Sequence, residues 1–268
     1  DLDQFHASAK RRLCRLFGCI ENVSITPEIV HVPHLLGDGA QARALAEKSI
    51  QYAKDLEHAN SICQALYMAS NLDFIQRNAE SALARSQELI RFAEDRHLPY
   101  WVLPAKWIEG WAMTKLGNFR AGMVQLENAA SNRTLGGPMQ HIALVAAADA
   151  LVGSGTGSEA LAYLEQAVQE WETMLLVPEI RRLMGEGHWL MGQRADAARW
   201  LTDAIDVARE QGAKHWELRA AMSLARLWGE QGERQKAHDL LHPVYDWFTE
   251  GFDTADLKDA KALLEELR

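Results

Sequence analysis

Arginine, tryptophan and acidic residues recur along this sequence at spacings that place them on one side of a helix. Arg182 and Glu186 are four residues apart, and Arg219 and Arg226 are seven apart. Aromatic and arginine side chains anchor protein interfaces, and the guanidinium fork fits a carboxylate or a phosphate. We therefore predict a groove that binds a peptide segment, a partner protein or a small anionic or aromatic ligand. Ten residues are the candidates for lining it: Tyr67, Asn71, Trp107, Trp111, Asp149, Arg182, Glu186, Trp189, Arg219 and Arg226.

A purely structural interpretation competes with binding for the same residues. The tryptophans could pack between successive helices, and Arg182 and Glu186 could belong to an internal ladder of ion pairs. Asp149 is a lone charge inside an apolar stretch, and an unpaired buried carboxylate is costly. We expect Asp149 either to meet a cation, with Arg182 the favoured partner, or to face the open groove.

Patterns that would indicate catalysis or metal binding are weak. His238 and His242 have the spacing of two metal ligands on one helix, but the glutamate of the metalloprotease motif is missing. The segment Gly153–Gly157 resembles a phosphate-binding loop, yet no lysine follows it and we expect a turn between helices. We predict no catalytic residue, no metal site and no cofactor, so this segment is not expected to be an enzyme.

Composition and charge favour a helical protein. Alanine and leucine, two of the best helix formers, supply 40 and 34 of the 268 residues. The formal net charge of −9 disfavours nucleic-acid binding, and no apolar run is long enough to span a membrane. Three cysteines, Cys14, Cys19 and Cys63, fit a reducing compartment, so we expect a cytoplasmic location. Because the sequence opens without Met, we expect a piece of a larger protein.

A phrase of small residues, a turn glycine and a large apolar residue recurs about every 37 to 40 residues. Its clearest copy contains Gly185, Gly192, Ala197, Leu201 and Ala204. Other copies begin at Gly110, Ala148 and Ala225, and a weaker one begins at Ser70 and has Arg77 in place of the turn glycine. Small residues would let paired helices approach closely, and the glycine would allow a positive φ in the turn.

This phrase resembles tetratricopeptide repeats, whose usual period is slightly shorter. The resemblance implies an all-α, right-handed superhelix of five or six helix hairpins. Glycines and prolines between stretches of helical periodicity predict about thirteen helices in total. We expect the repeat array in residues 36–252 and a capping helix in residues 253–268. At the start of the array we expect a partial sixth repeat that contributes only its second helix, from Ala42 near Gly37. The role of residues 1–35, with an amphipathic helix around Phe5 to Phe17, is left open.

Three segments have amino-acid sequences that are more specific than a generic repeat. Residues 179–186, 216–228 and 241–254 resemble the C-terminal helical region of large bacterial signalling proteins. In those proteins a nucleotide cyclase or DNA-binding domain and an AAA-type ATPase module precede the repeats. The resemblance implies a non-catalytic regulatory module that binds a partner protein, a peptide or its parent's other domains. The alternative is a sensor whose small ligand the superhelix encloses.

Overall fold

A computed structural model describes residues 37–132, 137–168 and 176–268 of the chain. For residues 137–139 and 168 it describes the backbone only. The expected helix around Phe5 to Phe17 lies outside these ranges. Twelve α-helices and one short 3-10 helix (Pro99–Trp101) form this part of the protein, and it contains no strand. The α-helices are α1 (Gly39–Asp55), α2 (Ala59–Ile75), α3 (Ala79–Asp95), α4 (Val102–Lys115), α5 (Phe119–Ser131), α6 (Gly137–Gly153), α7 (Gly157–Val168), α8 (Val177–Leu190), α9 (Arg194–Glu210), α10 (Lys214–Glu230), α11 (Arg234–Asp246) and α12 (Ala255–Leu267).

The turns inside the hairpins use the left-handed backbone that the sequence predicted. Gly117, Gly155, Gly192 and Gly232 have φ between +75° and +93° and separate α4 from α5, α6 from α7, α8 from α9 and α10 from α11. The same position between α2 and α3 is held by Arg77, with φ of +59°. A residue with a side chain is strained there, so its contacts must compensate.

Close packing within each hairpin explains the small residues of the repeat. A Cβ atom added to Gly110 of α4 would lie 2.9 Å from the carbonyl oxygen of Gly122 on α5. A Cβ atom on Gly185 would lie 2.6 Å from Cγ of Leu201. The alanines and leucines that follow each turn are fully buried, as in Ala197, Leu201 and other copies. These contacts confirm a solenoid of helix hairpins.

The hairpins stack so that the even-numbered helices form one layer. Each of α2, α4, α6, α8 and α10 packs on the next even-numbered helix, which for α10 is α12. The odd-numbered helices pack on their neighbours in sequence. We call the surface formed by the even-numbered helices the inner face. Helix α12 occupies the expected position of a capping helix, beginning after Thr254.

The two ends of the described chain meet across the inner face. The guanidinium of Arg77, in the turn after α2, contacts Asp256 of α12 at 3.0 Å and Asp259 at 2.8 Å. Arg219 of α10 also donates to the carbonyl oxygen of Ile75. The superhelix therefore closes on itself through polar contacts. None of the helices in the described ranges has the length and apolar character needed to cross a membrane.

Candidate binding cavity on the inner face

The inner face encloses a cavity of about 480 Å³. Every even-numbered helix contributes at least one residue to the cavity wall, so the cavity depends on the whole array. The larger apolar residues of the wall are Phe74, Trp111, Leu116, Val145, Val152, Leu176, Trp216 and Met222. The charged residues of the wall are Arg77, Glu80, Lys115, Asp149, Glu179, Arg182, Glu186, Arg219, Arg226 and Asp259.

Asp149 projects from α6 and is held by three neighbouring groups. Lys115 approaches its carboxylate to 2.7 Å, and the indole nitrogen of Trp111 donates a 2.8 Å hydrogen bond. Arg182, the partner that the sequence favoured, is at 4.0 Å. The expected cation is thus present, but the nearest one is Lys115 of the preceding repeat. Although burial opposes the charge, Lys115, Trp111 and Arg182 together lower the pKa of Asp149 to about 2.

Arg182 joins two carboxylates of its own helix. Its guanidinium makes a two-pronged contact with Glu179, with both distances 2.8 Å, and reaches Glu186 at 2.6 Å. Glu186 also accepts a 2.6 Å hydrogen bond from the hydroxyl of Ser223 on α10. The predicted pair of Arg182 and Glu186 therefore exists as part of a ladder that crosses from α8 to α10. Despite desolvation, these carboxylates raise the pKa of Arg182 well above its ordinary value.

Arg219 links three parts of the solenoid. Its guanidinium contacts Asp256 of α12 at 2.8 Å and Glu179 of α8 at 3.6 Å, and it lies 4.9 Å from the ring centre of Trp216. Asp256 is only 2% exposed. Its burial opposes ionisation, but Arg219 and Arg77 outweigh it and hold the pKa of this carboxyl well below its usual range. The ladder of ion pairs therefore continues to the closure of the superhelix.

The structure brings six of the ten predicted residues together in the cavity wall. They are Trp111, Asp149, Arg182, Glu186, Arg219 and Arg226. The other four lie elsewhere: Trp107 is fully buried with its ring perpendicular to that of Phe74, and Tyr67 packs on Trp101. Asn71 is buried beside Tyr67. Trp189 is half-buried on α8 and donates a hydrogen bond to Glu230 of α10.

The sequence patterns did not indicate several residues of the cavity wall. Lys115 follows Trp111 by four residues and Glu179 precedes Arg182 by three, so helical spacing from predicted residues could have identified both. Ser223 is likewise four residues after Arg219. Arg77 and Asp259 gave no such signal, because they enter the wall only through closure of the superhelix.

The weaker sequence patterns lie away from this cavity. His238 and His242 stack on each other on α11, with ring centres 5.1 Å apart. No group of three or more His, Cys, Asp or Glu suited to a metal ion occurs among the described residues. Gly155 lies in the turn between α6 and α7, as expected for an inter-helix segment. Cys63 is buried in the core, which raises the pKa of its thiol to about 12.

Comparison with known proteins supports the fold. No protein-family model and no curated protein matches the sequence. The quorum sensor NprR, solved in complex with its cognate peptide NprX, is similar in structure to this chain. The match covers 100% of this chain and 77% of the NprR chain, with 14% sequence identity and a TM-score of 0.62. PlcR of Bacillus thuringiensis, solved with the peptide PapR7 and DNA, matches 97% of this chain and 98% of its own, with 11% identity and a TM-score of 0.62.

A Rap protein complexed with Competence and Sporulation Factor is similar over 92% of this chain and 80% of its own. Its identity is 14% and its TM-score is 0.58. These three likenesses show that the chain has the same kind of helical-repeat fold as NprR, PlcR and Rap. Taken with the hairpins and the turns described above, they make the chain similar to tetratricopeptide-like solenoids.

Proposed function

We propose that this chain is a non-catalytic regulatory module of a bacterial signalling protein, and that it binds a peptide segment in the cavity of its inner face. The observation that carries the proposal is the cavity itself, since consecutive repeats contribute one helix each to a single concave wall. Stacked repeats produce such extended concave surfaces from local contacts alone. NprR and PlcR, which have the same fold, were solved with peptides bound, which favours this class of ligand.

The chemistry of the wall favours binding over catalysis. A general acid or base works best with a pKa near the operating pH. The neighbouring cations instead hold the carboxyls of Asp149 and Asp256 at low pKa values, so that both stay ionised. The wall residues in the described ranges also include no histidine and no cysteine. These groups are suited to holding a ligand by charge and hydrogen bonds.

A sensor of a small ligand is the second candidate, and the size of the cavity supports it. A volume of about 480 Å³ lies within the range of roughly 300–1,000 Å³ found for small-molecule sites. Such a ligand would lie inside the superhelix, which the contacts of Asp256 on α12 with Arg77 and Arg219 close. The two candidates share the cavity and differ in whether the ligand extends beyond it.

A variant that narrows the cavity tests binding at this place. Gly153 lies exposed at the cavity rim, and an added Cβ would meet only the Lys115 ammonium, at 3.4 Å. We expect Gly153→Phe to leave the melting temperature near that of the wild type and to weaken binding of a pool of synthetic decapeptides at least tenfold. Quenching of tryptophan fluorescence is a suitable readout because Trp111 and Trp216 lie in the wall.

The matched control is Val124→Phe, which adds a ring at an exposed position of α5 outside the wall. This variant should bind the pool like the wild type. Equal binding by the Gly153→Phe and wild-type chains would contradict the proposed site. Binding of a set of metabolites and nucleotides, with no response to any peptide, would favour the sensor instead.

A further inference from the structure

Most charges of the cavity wall pair with one another or with Asp256, and among the described residues the exceptions are Glu80 and Arg226. Lys115 holds Asp149, Arg182 holds Glu179 and Glu186, and Arg77 and Arg219 hold the aspartates of α12. Arg226 of α10 is the exception among the cations of the described wall, since no carboxylate lies within 4.0 Å of it and it makes no hydrogen bond with another described residue. Its side chain is half-buried and lines the cavity.

The carboxylates that helical geometry brings nearest to Arg226 are already engaged. Glu230 is four residues further along α10, the spacing of a helical ion pair, but it accepts the indole hydrogen bond of Trp189 at 3.1 Å. Ser223, one turn before Arg226, contacts Glu186, whose other partner is Arg182. Arg226 therefore forms no direct ion pair with a described residue, although Glu230 keeps its negative charge one turn further along α10.

We infer that Arg226 is the subsite for a carboxylate of the ligand, namely the C-terminal carboxylate of a peptide whose last residue is apolar. This inference rests on the proposed function. An arginine carries its charge at all ordinary pH values and can bind both oxygens of a carboxylate at once. One free cation matches one negative charge, whereas a phosphate carries nearly two. The apolar last residue is specified by Trp111, Val152 and Met222, which share the wall with Arg226.

The buried ion pairs of the wall favour Arg226 over Arg182 and Arg219 as the carboxylate subsite. A ligand carboxylate at Arg182 or Arg219 would have to displace buried partners such as Glu179 and Asp256. Removing one member of a buried pair leaves an uncompensated charge. Binding at Arg226 displaces no ion pair of the described chain, and the adjoining apolar wall lowers the local dielectric and strengthens the new contact.

The test compares pools of tetrapeptides on the 268-residue chain. One pool ends in Leu, Ile, Val or Phe with a free carboxylate, and a second has the same residues with a C-terminal amide. A third is amidated but has Asp or Glu as its last residue, which separates a terminal carboxylate from a side-chain carboxylate. Affinity is measured by titration calorimetry on the wild type, Arg226→Gln, Arg226→Lys and the control Arg199→Gln.

Arg199 is a suitable control because it is exposed on α9 and lies outside the wall. We expect the free-carboxylate pool to bind at least tenfold more tightly than both amidated pools, and Arg226→Gln to abolish that preference. Arg226→Lys should keep part of it, since the charge remains without the planar fork. Arg199→Gln should bind like the wild type.

Two results would overturn the inference. Binding of the first two pools within twofold of each other, or a carboxylate preference that survives in Arg226→Gln, shows that Arg226 does not select the carboxylate, while the proposed peptide function stands. A preference for the third pool assigns Arg226 to an acidic side chain and rejects the terminal carboxylate. If no pool binds, the proposed function fails and the inference fails with it.

Discussion

At the scale of single residues, the inner face combines buried charges with a buried histidine. His215, at the start of α10, is 1% exposed and packs against Phe248 with ring centres 5.0 Å apart. Desolvation lowers its pKa from 6.5 to about 4, and the positive charge of Arg219 acts in the same direction, whereas Asp256 opposes the shift. His215 is therefore neutral in the folded protein at neutral pH.

The shift of His215 predicts a loss of stability in mild acid. Between pH 6.5 and about 4 the unfolded chain binds a proton at this residue and the folded chain does not. The free energy of unfolding should therefore decrease as the pH is lowered from 6.5 to about 4, and His215 should account for at most about 3 kcal/mol of this decrease. Urea unfolding of the wild type and His215→Leu at pH 7.5 and 5 measures the difference.

The variant should lose part of this pH dependence even if it is less stable at both pH values. All other residues are the same in the two proteins, so the comparison isolates the contribution of His215. An identical change in unfolding free energy for the two proteins would show that His215 titrates normally. Asp149, with its pKa lowered to about 2, acts in a separate window, because its contribution is present above about pH 4 and is lost below that.

Residue partners were the least predictable part of the site. The sequence indicated that Asp149 needs a cation, and this holds, but it favoured Arg182 where the structure puts Lys115 nearest. Helical spacing gives the face of a helix on which a side chain lies. It does not give the relative heights of two helices, which decide whether Lys115 or Arg182 reaches the carboxylate first.

At the scale of helices, tight hairpins rest on positions without a side chain. A Cβ atom on Gly122 of α5 would collide with the carbonyl oxygen of Gly110 and with Thr114, both on α4. Gly122→Ala should destabilise the protein by about 1–3 kcal/mol, the usual cost of overpacking. Gly153→Ala is the matched change at an open position, where it should be neutral or stabilising by up to about 1 kcal/mol, since alanine is the better helix former.

Chemical denaturation of both alanine variants measures these two effects. Equal changes in unfolding free energy for Gly122→Ala and Gly153→Ala would contradict the close approach of α4 and α5. Helices and their turns were predictable here because both depend on local sequence, such as the turn glycines and the small residues on either side of them. Arg77 shows the limit, since its positive φ departs from the local rule and its ion pairs lie far along the chain.

At the scale of the whole molecule, closure of the superhelix depends on Asp256 of α12. This carboxylate is buried between Arg77 and Arg219, which come from opposite ends of the array. Asp256→Asn leaves two arginines without their shared charge and should cost about 3–5 kcal/mol, as for other broken buried pairs. Asp259→Asn removes a partly exposed partner of Arg77 and should cost less than about 1 kcal/mol.

Thermal and urea unfolding of the two asparagine variants test this difference. A cost for Asp256→Asn no larger than that for Asp259→Asn would show that the closure contributes little. Sequence patterns could not reveal this contact, because Arg77 and Asp256 are 179 positions apart and Asp256 lies outside the repeat phrase. The solenoid was predictable from repeated local signals, but its curvature, and hence the cavity, results from small rotations added over all the hairpins.

The central claim is that a ligand occupies the cavity of the inner face, and amide hydrogen exchange locates it most directly. Exchange would be followed for the 268-residue chain with and without saturating amounts of the free-carboxylate peptide pool. With the cavity occupied, we expect slower exchange near Asp149 on α6 and Arg226 on α10, with α5 and α9 unchanged. Protection confined to the odd-numbered helices would contradict it, as would exchange unaltered by a peptide that binds.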